Sequence, residues 1–255
     1  MGALHEGHLS LVRAGVARDL PVVMSIYVNP TQFAPGEDFE AYPRPLDEDL
    51  AKAEAAGAQA VFVPDTALMY PEGTPVDCPP LPAVATAPGL EDAHRPHFFR
   101  GVCSVVSRLL DLVRPTHLIM GRKDYQQLRV LQEMVAADSG RWTPVDVVGE
   151  DTVREADGLA MSSRNAYLET SERDRACGLI RALRAARDAD SVSAAEHGMR
   201  AILEAHDLRV DYAVVRDAET LLPVTGAVAG RRALIAAHLG QVRLIDNDHL
   251  GPVTT

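Results

Sequence analysis

Four short apolar runs, separated by stretches of helical periodicity, constrain this 255-residue chain more than any other feature. Val22-Val23-Met24-Ser25-Ile26-Tyr27-Val28 is continuous and rich in β-branched residues, which predicts a strand buried on both faces. Runs at 60–63, 116–120 and 145–148 repeat the signal. Helical spacing appears between and beside them, at Leu9, Leu11, Val12 and Val16, at Leu50, Ala53 and Ala56, at Val102, Val105, Val106, Leu109 and Leu110, and at Leu128, Leu131 and Met134. Such alternation predicts an α/β fold, a doubly wound parallel sheet with helices on both faces.

From residue 171 the pattern changes. Two Ala- and Arg-rich helices are expected over 171–188 and 193–207, followed by strands over 210–215, 232–237 and 242–245. This reads as a smaller α+β unit, so the expected domains are 1–150 and 151–255. The segment 71–96 carries Pro75, Pro79, Pro80, Pro82 and Pro88 and shows no periodicity; no regular helix is expected there, and a loop of that length is usually functional or mobile.

The polar residues collect where strands end and helices begin. Residues 1–8, Met-Gly-Ala-Leu-His-Glu-Gly-His, put two imidazoles three positions apart at the start of the first helix. Unpaired N–H groups and a positive dipole end suit an anion there, and Gly7 lets the backbone approach it. A zinc protease would need its second His one residue later. Two surface His in a loop is the other reading of this short motif. Asn29-Pro30-Thr31-Gln32-Phe33 closes the first strand, at the end of a parallel sheet where ligands gather, although Asn-Pro often serves only as a turn. Asp47, Glu48 and Asp49 are read as first-turn carboxylates that suit a helix dipole. Lys123, just after Gly121-Arg122, offers a second phosphate position, or an ordinary exposed Lys at a helix start. Ser162, Ser163 and Arg164 offer a third, or a turn and helix cap.

Composition narrows the partners. A net charge of −11 opposes binding to nucleic acid or to an anionic membrane. No apolar run approaches a membrane span, and no targeting pattern opens the chain. Cys78, Cys103 and Cys177 are scattered and odd in number, so a reducing cytoplasm is the simplest inference.

Taken together, the blocks at 1–8 (MGALHEGH), 28–33 (VNPTQF), 42–44 (YPR), 121–128 (GRKDYQQL) and 153–165 (VREADGLAMSSRN) resemble the pantothenate synthetase family. Its superfamily of nucleotidyltransferases uses HIGH-like and KMSKS-like motifs. The similarity extends to 211–217 (DYAVVRD) and 242–247 (VRLIDN), so it spans essentially the whole chain. The resemblance implies a Rossmann-like fold and an ATP-dependent ligation of pantoate to β-alanine through a pantoyl adenylate, with AMP and pyrophosphate released. It implies that His5, His8, Lys123 and Arg164 are catalytic. ATP would be bound by these four with Met1, Gly2, Gly7, Gly121, Arg122, Asp124, Val153, Met161, Ser162 and Ser163. Gln32, Gln127, Asn29 and Glu91 would meet pantoate and β-alanine. Magnesium would arrive with the ATP phosphates, with no protein ligand assigned, and the family forms homodimers.

The chain departs from the family pattern at three places. Arg122 stands where the family usually has Glu or Gln. Phe98 stands where it has His, with His97 one position earlier. Met1 is the motif's own Met, whereas family members carry a strand before it; the expectation is a start assigned at an internal Met and a longer natural protein. Two alternatives accompany the ligase reading: a nucleotidyltransferase of the same superfamily acting on another small acid, and a truncated, non-catalytic remnant.

Overall fold

The computed structural model describes residues 2–33, 39–73, 77–143 and 145–251. Helix α1 (Glu6–Val16) begins where the first loop ends: His5 takes the extended N-cap conformation, and Glu6 places a carboxylate in the first turn. Strand β1 (Val23–Ser25) is shorter than the expected 22–28 and is not buried on both faces. Val23 is 47% exposed while Met24 is buried, the alternation of a half-covered strand. After Ile26 donates to the Phe62 carbonyl, the chain leaves the pairing and turns through a 3-10 turn, Pro30–Gln32. Helix α2 (Leu46–Ala55) leads to β2 (Ala60–Phe62), which pairs parallel with β1, Val23 opposite Ala60.

Helix α3 (Thr66–Met69) is a single turn capped by Asp65. Within the Pro-rich segment, a 3-10 turn at Ala83–Ala85 and the one-turn helix α4 (Glu91–His94) are the regular pieces among the described residues. Helix α5 (Phe98–Val113) carries the apolar positions from Val102 to Leu110 and stops at Arg114, whose φ of 51° reverses the chain ahead of Pro115. Strand β3 (His117–Gly121) is half-buried along its whole length rather than fully buried. Helices α6 (Tyr125–Ala137) and α7 (Ser139–Trp142) lead to β4 (Asp146–Glu150), parallel to β3 from His117/Asp146 to Gly121/Glu150. The parallel strands therefore form two separate pairs, β1–β2 and β3–β4, with α1 packed against β3. A β-carbon on Gly15 of α1 would come within 2.7 Å of Val22 and 3.2 Å of Ile119, so only Gly lets the helix lie this close.

The chain divides into two compact units. One is Met1–Arg122 with Gln126–Asp151; the other is Thr152–Thr255 joined by the short segment Lys123–Tyr125. In the second unit the expected helix over 171–188 is broken at Cys177 into α8 (Thr170–Ala176) and α9 (Gly178–Arg187), followed by α10 (Val192–Ala205). Strands β5 (Arg209–Asp217), β6 (Arg231–Leu239) and β7 (Val242–Leu250) are longer than their apolar runs and form one antiparallel sheet in that order. Leu179, Leu183, Met199 and Leu203 of the helices share one buried cluster with Val215, Ile235 and Leu239 of the sheet. Among the described residues no helix is long and apolar enough to cross a membrane, and the three cysteines are free.

Several carboxyls are held below their ordinary values by donors. For Asp217 the backbone N–H of Thr220 acts first, and the Thr220 hydroxyl adds to it; for Asp157 it is the Arg173 guanidinium. A carboxyl with a depressed folded pKa stabilises the fold above its unfolded pKa, about 4, and that stabilisation is lost as pH falls through the folded value. Asp217→Asn should therefore lower the thermal midpoint at pH 7 by a few degrees, and the difference from wild type should shrink as pH is lowered below about 4, measured by calorimetry across that range.

Candidate active site

In the first unit the two imidazoles of residues 1–8 are brought face to face. The rings of His5 and His8 stack with centroids 3.9 Å apart, His5 at the N-cap and His8 in the first turn of α1. The His5 amide donates to His8 Nδ1 at 3.4 Å. That bond assigns the lone pair to Nδ1 and leaves Nε2 to carry the proton in the neutral ring. Just before them, Ala3 sits at φ 50°, a left-handed conformation that a non-Gly residue adopts only when held. What holds it is Asp49 of α2. Its carboxylate, 1% exposed, accepts from the amides of Ala3 at 2.8 Å and Leu4 at 2.7 Å, while Lys52 Nζ donates to the Leu4 carbonyl at 3.2 Å. Asp49 thus does more than complement the α2 dipole; it shapes the loop that carries the His pair. A β-carbon on Gly2 would stand 3.4 Å from Val28, Gly7 accepts from the Ser10 hydroxyl, and Met1 lies outside the described residues.

The loop after β1 is organised by Asn29 rather than merely lined by it. This side chain is 3% exposed: Nδ2 donates to the Gly101 carbonyl (3.1 Å) and to Gln32 Oε1 (3.3 Å), and Oδ1 accepts from the Thr31 amide, the Thr31 hydroxyl and Tyr70. Burial pushes the Tyr70 hydroxyl above its ordinary value against the opposing bonds to Thr31 and Asn29, so it stays protonated and donates, at 2.7 Å. Arg95 Nη2 fixes the Gln32 carbonyl at 3.1 Å. A β-carbon on Gly101 would come within 2.4 Å of the Thr31 carbonyl oxygen, so α5 can approach this loop only through Gly. Glu91 is buried, with its amide bonded to Gln126 Oε1 and its carboxylate 3.8 Å from Arg95. Gln126 also reaches the Val84 carbonyl and Asp92, whereas its neighbour Gln127 is half-buried on α6. His97 is exposed, and Phe98 takes the Arg95 guanidinium over its ring at 4.1 Å. Gly121 closes β3 with open space where a β-carbon would stand, and the Arg122 guanidinium, which lies over Gly149, bonds to Asp151.

In the second unit, residues 153–161 form a small hairpin. Arg154 bridges Ala160, and Met161 donates to the Val153 carbonyl at 3.0 Å. Ser162 then caps a 3-10 turn, Ser163–Tyr167: its hydroxyl accepts from the Arg164 amide at 3.3 Å, so its own hydrogen remains able to donate. Ser163 and Arg164 are half-buried, and Asn165 pins the turn through Glu155 and the Ala160 carbonyl. Lys123 belongs to this unit, its ammonium 3.6 Å from Asp124. Among the described residues, no group of three or more His, Cys, Asp or Glu is arranged to hold a metal ion.

A family model described as pantoate-beta-alanine ligase matches residues 1–249. The chain belongs to that family. Two relatives named pantothenate synthetase, from Bradyrhizobium and Myxococcus xanthus, are 51% and 47% identical over 97% and 98% of the chain, which spans 87% of each of them. The pantothenate synthetase of Thermus thermophilus superposes with a TM-score of 0.92 at 44% identity, over 99% of this chain and 91% of that one. A Francisella tularensis pantoate-beta-alanine ligase, solved with beta-gamma ATP and beta-alanine, superposes with a TM-score of 0.80 at 30% identity, over 98% and 87%. The expected family and fold class are thereby established, and this enzyme is a ligase; neither the remnant nor the other-acid reading is favoured.

Asp49, Asn29's full set of partners and Gln126 were not legible as the supports of this family's motifs. Only an acid at a helix start and a second Gln beside Gln127 hinted at them. Two substitutions test the supports. Asp49→Ala removes two charge-assisted hydrogen bonds, each worth about 1.5–3 kcal/mol, and should destabilise the enzyme more than Asp49→Asn, which keeps one oxygen acceptor, in urea titrations. Gly101→Ala forces backbone against backbone and should cost roughly 1–3 kcal/mol in the same titration.

Proposed function

We propose that this enzyme condenses pantoate and β-alanine to pantothenate using ATP, through a pantoyl adenylate, with AMP and pyrophosphate released. The observation that carries the proposal is the stacked His5–His8 pair at the N-terminus of α1, held in shape by buried Asp49. Membership of the family supports the overall reaction, and the Francisella ligase bound to beta-gamma ATP and beta-alanine supports both as substrates here.

The chemistry explains the residue types. A pantoate carboxylate oxygen attacks the α-phosphorus, and the bond to pyrophosphate breaks; two anions must meet and a third must leave. Positioned donors and positive charge therefore lower the barrier more than any acid or base alone. In the first unit, His5 and His8 would hold phosphate oxygens at a helix N-terminus, with Gly2 and Gly7 keeping the backbone accessible and Gly121 bordering the nucleotide. His8, protonated on Nε2, would donate to the leaving oxygen. In the second unit, Lys123 and Arg164 would spread the developing charge, and Ser162 and Ser163 would donate hydrogen bonds; Asp124, Val153 and Met161 would border the nucleotide. Gln32 and Gln127 would grip pantoate, Asn29 by fixing Gln32 and Glu91 by bordering the same region. In the second step the β-alanine amine attacks the acyl carbon, the bond to AMP breaks, and the amine gives up a proton.

Magnesium would screen charge on the triphosphate. The His pair is a set of donors suited to phosphate oxygens, so the ion would be carried by ATP itself. The proposal extends to a homodimer, supported by the family resemblance, and to a reducing cytoplasm, supported by the free cysteines.

Exchange of labelled pyrophosphate into ATP is the test. It should require pantoate and proceed without β-alanine; pantothenate synthesis with no such exchange would overturn the adenylate. In the same assay His8→Ala and Lys123→Ala should each lower the rate roughly 100-fold or more. Gln32→Ala should act mainly by raising the KM for pantoate about 10-fold.

A further inference from the structure

Lys123 lies far in sequence from the rest of the second unit, yet its backbone is fixed there. Asn247 of β7 donates from Nδ2 to the Lys123 carbonyl at 2.7 Å. The orientation of that amide follows from its other partner. The Arg232 guanidinium, which can only donate, gives two hydrogen bonds to Asn247 Oδ1, at 2.8 Å from Nε and 2.5 Å from Nη2. Oδ1 must therefore face Arg232, and the donor end is left for Lys123. Arg232 also lies over the Tyr125 ring, 3.6 Å from its centroid, and the Tyr125 hydroxyl donates to the Ala218 carbonyl at 2.9 Å. The three residues 123–125 are thus fastened to the sheet at both ends.

The preceding residue of β7 fastens the other phosphate-suited segment. Asp246, with a fully buried side chain, receives both Arg154 amino groups, at 2.7 and 3.0 Å, and Arg154 belongs to the 153–161 hairpin that leads directly into Ser162–Arg164. Burial works to lower the Arg154 pKa, but the bonds and charge of Asp246 overcome it and leave it raised; burial pushes the Asp246 carboxyl up, and Arg154 opposes that. The Lys123 ammonium also acts on Asp246, so the two fastened segments share one electrostatic neighbourhood. Asp246 Oδ1 in turn accepts the Asn247 amide at 2.8 Å.

We infer that Asn247 is a positioning residue for Lys123, and that the Asp246–Asn247 step of β7 sets the Lys123 backbone and the Arg154 hairpin from one anchor. Asn suits this position because one side chain must accept from Arg232 and donate to a carbonyl. Asp can do only the first, and Gln is a methylene too long for the same reach. The inference rests on the proposed role of Lys123 in charge stabilisation, and the experiment separates the two.

Asn247→Asp keeps size and the Arg232 acceptor, removes the donor to Lys123 and adds a carboxylate facing Arg232. Ligation rates would be measured for N247D, K123A and the double variant, with unfolding midpoints for each; should N247D not fold, N247A, which adds no charge, takes its place. The expected result is a folded N247D with kcat lowered roughly 10- to 100-fold, an unchanged KM for pantoate, and no further loss when N247D is added to K123A. A wild-type rate in N247D beside a crippled K123A overturns the anchor and leaves the role of Lys123 standing. Losses that multiply in the double variant also overturn it, since Asn247 would then act elsewhere. A wild-type rate in K123A removes the role of Lys123 itself, and the anchor with it.

Discussion

A carboxylate taken out of water must find donors for its lone pairs, and in this protein two buried carboxylates find them on segments that carry the candidate catalytic groups. Asp49 accepts the amides of Ala3 and Leu4, and Asp246 accepts the Arg154 guanidinium. Removing either partner would leave an uncompensated charge in the interior, which is far more costly than never having buried the pair. Each loop is therefore committed to one shape before any ligand arrives. For a reaction whose barrier is electrostatic, that commitment matters, because donors fixed beforehand need not reorganise as charge develops.

Neutral groups follow the same logic. Asn29 makes five hydrogen bonds through both ends of its amide to four residues, and in doing so sets Gln32, whose own carbonyl is held by Arg95. Gly101 and Gly15 are the apolar counterparts, places where backbone or side chains approach so closely that no β-carbon fits. The groups proposed to touch substrate are mostly half-buried, whereas the groups that hold them are buried.

The sequence shows the first set of residues more readily than the second. Alternating apolar runs give the parallel α/β class, and the motifs around His5, Gln32, Lys123 and Ser162 stand at element ends where helix dipoles and open backbone make them visible. Partners were hidden because nothing local marks them: Asp49 looks like any first-turn acid, and Asn247 like the last residue of a strand. Their significance arises from contacts 45 and 124 residues away in sequence. Element lengths were misjudged for a related reason. Strand β1 is shorter than its apolar run because pairing with β2 ends at Ile26, and β5–β7 are longer than theirs because antiparallel pairing carries polar residues into the sheet. The division of the parallel strands into two pairs likewise belongs to pairing, which hydropathy does not report.

The central claim is that the pantoate carboxylate attacks the α-phosphorus of ATP within this protein. Pantoate labelled with oxygen-18 in its carboxylate, turned over once with ATP and β-alanine, tests it most directly. The account predicts one labelled oxygen in the AMP released, found by mass spectrometry. Unlabelled AMP, with the label instead in pyrophosphate or inorganic phosphate, would contradict it.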